Sequence, residues 1–293
     1  MRAQAGGIAL RAGGGLRDYW EVIKPRETSL LVFLGVVSAL LAAGGLGSAG
    51  RLGLVFAALA LASAGANGLT NYLDREIDSR MTRTSRRALP AGRIFPPERA
   101  LIFTLMLSLL GLVLAWALHP MVFAVDLVGT SAALLYRKKV TCVFPQGALA
   151  SCTPVLMGWW AVSPTISWEL LLLCALIALW LPAHIWSLML FYREDYRAAG
   201  ITYFPLSRSF TSVARLLAIF SVLLYACSLG LFFVADLGPV YLASANITGL
   251  VLVASSFKLT LGNPGPDAWK LYKISAFPYL GVLFLSLAVS AII

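Results

Sequence analysis

The chain has 293 residues, of which 59% are hydrophobic and 12% charged, and its mean hydropathy is +0.83. Soluble domains carry about 25% charged residues, so this composition excludes a water-soluble enzyme with a single buried core. It also excludes a disordered chain, because disordered chains contain few apolar residues. The formal net charge of +10 would normally suggest a nucleic-acid partner. In a membrane protein a net positive charge first indicates the orientation of the chain in the membrane, because basic residues collect in cytoplasmic loops.

Nine apolar stretches have the length that a transmembrane helix needs, which is roughly 20 residues for a hydrocarbon core of about 30 Å. The fourth and fifth are the weakest, because Asp126 interrupts one of them and Pro145 and Pro154 interrupt the other. We therefore predict an all-α polytopic membrane protein with about nine transmembrane helices in one bundle around a central cavity. The predicted spans are residues 28–47, 52–72, 100–118, 121–137, 145–163, 168–190, 212–233, 237–257 and 273–292.

The basic residues predict the orientation of the bundle. With the N-terminus in the cytoplasm, every Lys and Arg except Arg51 lies on or nearest to the cytoplasmic side. Because these residues are divided among short loops, they do not form a nucleic-acid track. Residues 1–27 predict a flexible N-terminal arm, followed by one transmembrane domain at 28–293. A cell (inner) membrane is favoured over the mitochondrial inner membrane, because the arm is poor in Ser.

The second span continues into a polar segment that carries amides and carboxylates at helical spacing. Asn67, Asn71, Asp74 and Asp78 are separated by four, three and four residues, which predicts one stripe on a helix. Two carboxylates one turn apart repel each other unless a cation lies between them. Mg²⁺ prefers oxygen ligands and is typically held by one or two carboxylates together with substrate phosphate oxygens. The stripe therefore predicts a magnesium site at the cytoplasmic end of this helix.

A run of arginines that includes Arg83 and Arg87 follows the acidic stripe. Guanidinium groups offer paired donors that match phosphate oxygens, so carboxylates followed by arginines indicate a site for a diphosphate-bearing substrate. The alternative is a solvated loop whose arginines only determine the topology and touch anionic lipid. The carboxylates favour the site, because acidic residues do little for topology and like charges one turn apart destabilise a helix.

The sixth span ends in a second segment of acids and arginines, Arg193-Glu194-Asp195. Two such segments facing each other can hold a diphosphate between them through bridging Mg²⁺, which is the arrangement that ionisation of a prenyl diphosphate needs. The metal and the arginines stabilise charge on the leaving diphosphate, and an apolar bundle keeps the allylic cation from water. A charged helix end without a chemical role is the alternative.

Two further ionisable residues lie within predicted spans. His184 lies about two turns inside the sixth span, which indicates either a functional site or a hydrogen bond to a neighbouring helix. Asp126 lies toward the end of its span that is remote from both acidic segments. This position favours a structural partner or a helix-end group over a role at the diphosphate.

The motifs resemble those of the UbiA superfamily of intramembrane prenyltransferases, and are most like those of its members that farnesylate heme. The sequence departs from the family pattern at Thr70, where Asn is expected, and at Ser151-Cys152, where Gly-Ala is common. These departures leave the diphosphate motifs mostly intact and bear on the identity of the acceptor. The matching stretches are Asp74-Arg-Glu-Ile-Asp78, Met81-Thr-Arg83-Thr, Arg87-Ala-Leu-Pro-Ala-Gly-Arg93 and the region from His184 to Ile201.

The resemblance implies that farnesyl diphosphate ionises and that a vinyl group of heme b captures its cation, with water completing the side chain of heme O. It implies that Mg²⁺ is the cofactor and that His184 faces the acceptor. The implied ligand and acid positions are Asp74 and Asp78 with Asn71 or Asn67, and Glu194 and Asp195 for the second acidic site. The residues implied for the diphosphate are Arg26, Arg83, Arg87, Lys138 and Arg193.

Two alternatives remain open from the sequence. One is a related prenyltransferase that acts on another acceptor, such as 4-hydroxybenzoate or a quinone or lipid precursor. The other is a non-catalytic membrane transporter or lipid-binding protein that uses its basic face for anionic head groups. The resemblance also implies partners in terminal-oxidase biogenesis, namely heme A synthase or oxidase-assembly proteins.

Overall fold

The structure is a computed structural model that describes residues 14–135 and 143–293. Within these residues all regular secondary structure is helical. A kinked turn at Val143–Gly147 leads into α6, and a wide turn at Ser275–Gly281 joins α11 to α12. The helices are α1 (Leu16–Val22), α2 (Pro25–Ala43), α3 (Ala49–Ser79), α4 (Glu98–Leu118), α5 (Pro120–Leu135), α6 (Ala148–Trp160), α7 (Trp168–Phe191), α8 (Arg193–Ala198), α9 (Phe210–Val234), α10 (Pro239–Leu261), α11 (Pro264–Ile274) and α12 (Val282–Ile292).

The predicted all-helical membrane bundle is confirmed. Among the described residues, seven helical segments are long and apolar enough to cross a membrane: α2, α3, α4, α7, α9, α10 and the continuous segment Pro264–Ile292. Helix α5 and the segment 143–160 correspond to the two weakest predicted spans and are shorter. The number of nine spans and the cytoplasmic N-terminus therefore stay predictions.

The last helical segment begins earlier than the sequence predicted. Residues 258–272 were expected to form a loop, but α10 extends to Leu261 and α11 begins at Pro264. Pro264 is the first residue of α11, and proline is common at this position because no backbone N–H is needed there. The Asp267 carboxylate also accepts a hydrogen bond from the Asn263 backbone N–H at 2.8 Å. These two features start a helix in the middle of the predicted loop.

The described part of the predicted N-terminal arm is helical from residue 16 to residue 22. Helix α1 carries Asp18 and Glu21, and both carboxylates pair with the Arg93 guanidinium of the segment after α3. The hydrogen bond from Arg93 to Asp18 is 2.7 Å and lowers the pKa of this carboxyl below its usual value. Stabilisation from the contact is therefore present at neutral pH and is lost only as the pH falls through the lowered pKa. The arm boundary at residue 27 stays a prediction.

The helices close into a ring because each one packs against the next and α12 returns to α2. Contacts run from α2 through α3, α4, α5, α6, α7, α9 and α10 to α12, and α2 also packs against α6 across the ring. We call the end of this bundle at which residues 80–97 and 192–209 lie the loop end. Both acidic segments of the sequence lie at the loop end.

Helices α2 and α6 approach closely at two glycines. A Cβ atom on Gly158 would lie 1.8 Å from the carbonyl oxygen of Gly35, and a Cβ atom on Gly35 would lie 2.6 Å from the carbonyl oxygen of Pro154. Small residues allow such backbone contact between membrane helices, where packing replaces the hydrophobic effect as a driving force. The crossing holds α6 against the ring and forms one wall of the interior.

We expect Gly158→Ala to lower the stability of the bundle by about 1–3 kcal/mol, because the added methyl group overlaps backbone that cannot rotate away. The temperature midpoint of unfolding of the detergent-solubilised protein measures the effect. Gly53→Ala in α3 is the matched control, because its Cβ atom would meet nothing within 4 Å. Equal midpoints for the two variants would contradict the close contact.

Candidate active site

A cavity of about 390 Å³ lies inside the ring and is walled by α2, α3, α5, α6 and α7. Its walls are mostly apolar, and its polar groups fall into two sets. One set lies at the loop end and includes Lys24, Glu27, Asp74, Arg83, Arg87 and Tyr196. The other lies deeper between the helices and comprises Ser63, Asp126, Thr130 and Thr153.

The predicted Asn/Asp stripe of α3 divides into two faces. Asn67 and Asp74 line the cavity, whereas Asn71 and Asp78 are buried outside its wall. The reason is helical geometry: residues seven apart share a face, and residues four apart are rotated by about 40°. Asn71 donates a hydrogen bond to the Val22 carbonyl at 2.6 Å, and Asn67 donates one to Thr28 at 3.0 Å. The structure therefore brings half of the predicted stripe to the cavity.

Arg83 and Arg87 both reach the cavity, as the sequence predicted. The Arg87 guanidinium lies 3.4 Å from the Asp78 carboxylate, which is 1% exposed. Asp78 thereby orients the arginine that lines the cavity. Arg83 donates to the Tyr196 hydroxyl at 3.4 Å. Burial raises the pKa of Tyr196, so the hydroxyl stays protonated at neutral pH.

The second acidic segment divides in a similar way. The Asp195 carboxylate accepts hydrogen bonds from the backbone N–H groups of Thr82 at 2.6 Å and Arg83 at 3.2 Å. Neighbouring Glu194 has a side chain that is 87% exposed and pairs with Arg197 at 3.6 Å. Neither carboxylate lines the cavity. Asp195 instead joins the second acidic segment to the first.

The remaining predicted diphosphate residues differ in position. Arg193 donates to the carbonyl oxygens of Leu206 and Arg208, both at 3.3 Å, and Arg26 is exposed outside the cavity wall. Lys138 lies outside the described residues. The family resemblance implied Arg26, but the structure instead brings Lys24 to the cavity, and its ammonium donates to Thr70 at 3.3 Å. Lys24 precedes the first turn of α2 with a φ of +48°, a conformation that sequence spacing does not reveal.

His184 lines the cavity with its ring held between two aromatic rings. The Trp180 ring stacks on one face with centroids 4.6 Å apart, and the Tyr272 ring covers the other face at 4.6 Å. His184 Nδ1 lies 3.1 Å from the Ser275 hydroxyl. The hydrogen bond to a neighbouring helical segment is therefore observed, and a functional role for this cavity-lining histidine stays a prediction.

The donor set at the loop end fits Mg²⁺ bound together with a diphosphate. No group of three or more His, Cys, Asp and Glu side chains that could hold a metal by itself occurs in the part of the chain that the structure describes. Mg²⁺ is commonly held by one or two carboxylates with substrate phosphates completing the shell. Asp74 supplies a carboxylate at the cavity wall, and the amide oxygen of Asn67 is a compatible neighbouring ligand type. The cations of Lys24, Arg83 and Arg87 lie around the same space.

A closed ring of apolar helices with two carboxylates, a lysine and two arginines at one end of an internal cavity defines a membrane-embedded enzyme for an anionic lipid substrate. Comparison with known proteins agrees with this class. Residues 30–287 match the model of the UbiA prenyltransferase family. The chain belongs to this family and is a prenyltransferase.

Several curated relatives are described as protoheme IX farnesyltransferase. The one from Desulforudis audaxviator is 37% identical over 286 residues, covering 94% of this chain and 90% of the relative. Another, from Frankia alni, is 33% identical over 290 residues, covering 95% of this chain and 99% of the relative. A third, from Cenarchaeum symbiosum, is 34% identical and covers 93% of this chain and 95% of its own length.

Solved structures show the same fold at lower sequence identity. A digeranylgeranylglyceryl phosphate synthase aligns with a TM-score of 0.77 at 19% identity, covering 94% of this chain and 98% of that chain. A UbiA homologue from Archaeoglobus fulgidus bound to GPP and Mg²⁺ aligns with a TM-score of 0.65 at 16% identity, covering 94% of this chain and 99% of the homologue.

We expect Asp195→Ala to release the segment after α3, because two backbone N–H groups lose a charged acceptor. Hydrogen–deuterium exchange of the amides at 81–85 should become at least about tenfold faster, since one such bond is worth about 1.5–3 kcal/mol. Glu194→Ala is the control, because its side chain is exposed and bonds only within its own helix among the described residues. Unchanged exchange in Asp195→Ala would contradict the proposed link.

Proposed function

We propose that this prenyltransferase moves a farnesyl group from farnesyl diphosphate to a vinyl group of heme b and so forms heme O. The observation that carries the proposal is the cavity itself, which joins a cationic loop end with a carboxylate to an apolar interior. The relatives described as protoheme IX farnesyltransferase support this choice of substrates. We place the reaction in the cell membrane with the loop end on the cytoplasmic side.

Lys24, Arg83 and Arg87 bind the diphosphate in this proposal, and Tyr196 orients Arg83 through its hydroxyl. Asp74, with Asn67, would hold Mg²⁺ at the cavity wall, and Asp78 supports the site by orienting Arg87. The metal, when bound, neutralises charge that develops on the diphosphate as the carbon–oxygen bond breaks. The apolar walls exclude water from the allylic cation until the acceptor is in place. Asp195 acts indirectly, because it positions the backbone of Arg83.

The acceptor borders the aromatic wall formed by Trp180 and His184. A vinyl carbon of heme b forms the new carbon–carbon bond to the first carbon of the farnesyl group. The cation left beside the pyrrole ring then takes a hydroxyl group from water, and a proton is released. Diphosphate is the other product, so atoms and charge balance.

Membranes containing the chain should convert farnesyl diphosphate and heme b to a farnesylated heme in the presence of Mg²⁺, as identified by mass spectrometry. 4-Hydroxybenzoate, given in place of heme b, tests the main alternative acceptor. A prenylated phenol without farnesylated heme would overturn the proposed acceptor.

Asp74→Asn is expected to lose about 10²-fold or more of the turnover, whereas a transporter or lipid-binding role predicts no such loss.

Lys24→Ala should raise the KM for farnesyl diphosphate by about tenfold or more, because a charge-assisted hydrogen bond to the diphosphate is lost. Arg26→Ala is the matched control, since it removes a neighbouring charge that lies outside the cavity. Steady-state kinetics at saturating heme b measures both variants. A larger effect from Arg26→Ala would restore the sequence-based choice and contradict the position of Lys24.

A further inference from the structure

Asp126 borders the cavity, although the sequence favoured a structural role for it away from the site. It lies in the middle of α5, is 2% exposed, and shares the cavity wall with Gly129, Thr130 and Ala133 of the same helix. Ser63 of α3 and Thr153 of α6 add hydroxyl groups to the same region. The cavity therefore has a second polar set that the diphosphate chemistry does not use.

The hydrogen bonding of Asp126 is incomplete. Among the described residues, its one hydrogen bond is accepted from the Thr130 hydroxyl at 3.3 Å, and no cation pairs with it. A carboxyl group has room for several further bonds, and burying it in an apolar membrane interior without them is costly. Because Asp126 lines the cavity, a polar group bound there can supply the missing hydrogen bonds.

Asp126 is too deep to belong to the diphosphate site. Lys24 marks the loop end of α2, and Gly35, eleven residues further along, packs against α6 at Pro154. At the helical rise this is a depth of about 16 Å. Gly129 packs against Thr153, the neighbour of Pro154, and Asp126 lies almost one turn further from the loop end than Gly129. The reacting carbon, which is attached to the diphosphate, lies at the shallow end.

We propose that Asp126 is a specificity-determining residue that binds a hydrogen-bond donor on the acceptor. A prenyl chain is a hydrocarbon and offers no partner to a carboxyl group, so the partner belongs to the second substrate. This inference rests on the proposed function for the identity of that substrate. In heme b the iron occupies the pyrrole nitrogens, so the protic groups of the molecule are its two propionic acids.

The geometry of heme b agrees with this assignment. Its propionic acids lie on the edge of the macrocycle opposite the vinyl groups. With a vinyl group near the diphosphate at the loop end, the propionic-acid edge extends toward the deep polar set. There one propionic acid and the Asp126 carboxyl share a proton in a hydrogen bond, and the hydroxyl groups of Thr130 and Thr153 lie on the same wall.

The experiment compares heme b with its dimethyl ester, which lacks the acidic protons. Dissociation constants are measured by heme absorbance on the purified full chain, and turnover with farnesyl diphosphate is measured in parallel. The variants are Asp126→Leu, which removes the acceptor, and Asp126→Asn, which keeps the size and one oxygen. Ser131→Ala on the same helix is the control, because Ser131 is exposed on the outer side and bonds to the Leu127 carbonyl.

The unmodified chain and Ser131→Ala should bind the free acid about tenfold more tightly than the ester, since a buried hydrogen bond is lost with the ester. Asp126→Leu should bring this ratio close to one and leave the KM for farnesyl diphosphate unchanged. Asp126→Asn should give a ratio between the two. Because the ratio is taken within each variant, it does not depend on the folded fraction.

An unchanged ratio in Asp126→Leu, or a raised KM for farnesyl diphosphate in that variant, would overturn the inference. The proposed function has its own separate outcome. Heme binding with the expected ratio but without farnesylated product would refute the reaction and support the role of Asp126 in binding.

Discussion

The link between the two acidic segments is the contact on which the arrangement of the site depends. A single carboxylate, Asp195, accepts hydrogen bonds from consecutive backbone N–H groups at Thr82 and Arg83. These bonds fix the path of the chain directly after α3, and with it the direction from which Arg83 enters the cavity. Charged acceptors make such bonds roughly twice as strong as neutral ones. Asp195, which the sequence suggested as a metal ligand, thus holds the backbone of a neighbouring segment in place.

The same segment is held from its other side by α1. Arg93 pairs with Asp18 and Glu21 and also donates to the Arg86 carbonyl at 2.6 Å, while the Ala88 backbone N–H donates to Glu21 at 3.2 Å. The loop end is therefore a network in which Asp18, Glu21, Asp78 and Asp195 each have a basic or backbone partner. This network explains why so many charges occur close together in a chain of which only 12% of the residues are charged.

The sequence was sufficient for the all-helical membrane bundle, because long apolar runs are local signals, and the spacing of Asn67, Asp74 and the following arginines indicated a candidate site at one end of it. It was not sufficient to separate cavity residues from their supports. Asp74 and Asp78 have the same chemistry and lie one turn apart, yet the rotation of α3 takes one to the cavity and the other to Arg87. The choice between Lys24 and Arg26 depended on a left-handed backbone conformation, which no spacing predicts.

The stacking around His184 limits the ways in which this residue can meet an acceptor. Trp180 and Tyr272 cover the two faces of the ring, and the stack continues from Tyr272 through Trp269 to Phe191, with neighbouring centroids 5.1 and 4.8 Å apart. A ring held in this way cannot stack on a porphyrin, because no face is open. It can present only its edge, which is where an imidazole carries its nitrogen lone pair. In the reaction proposed above, the stack restricts contact between His184 and the acceptor to a ring nitrogen, in the plane of the imidazole.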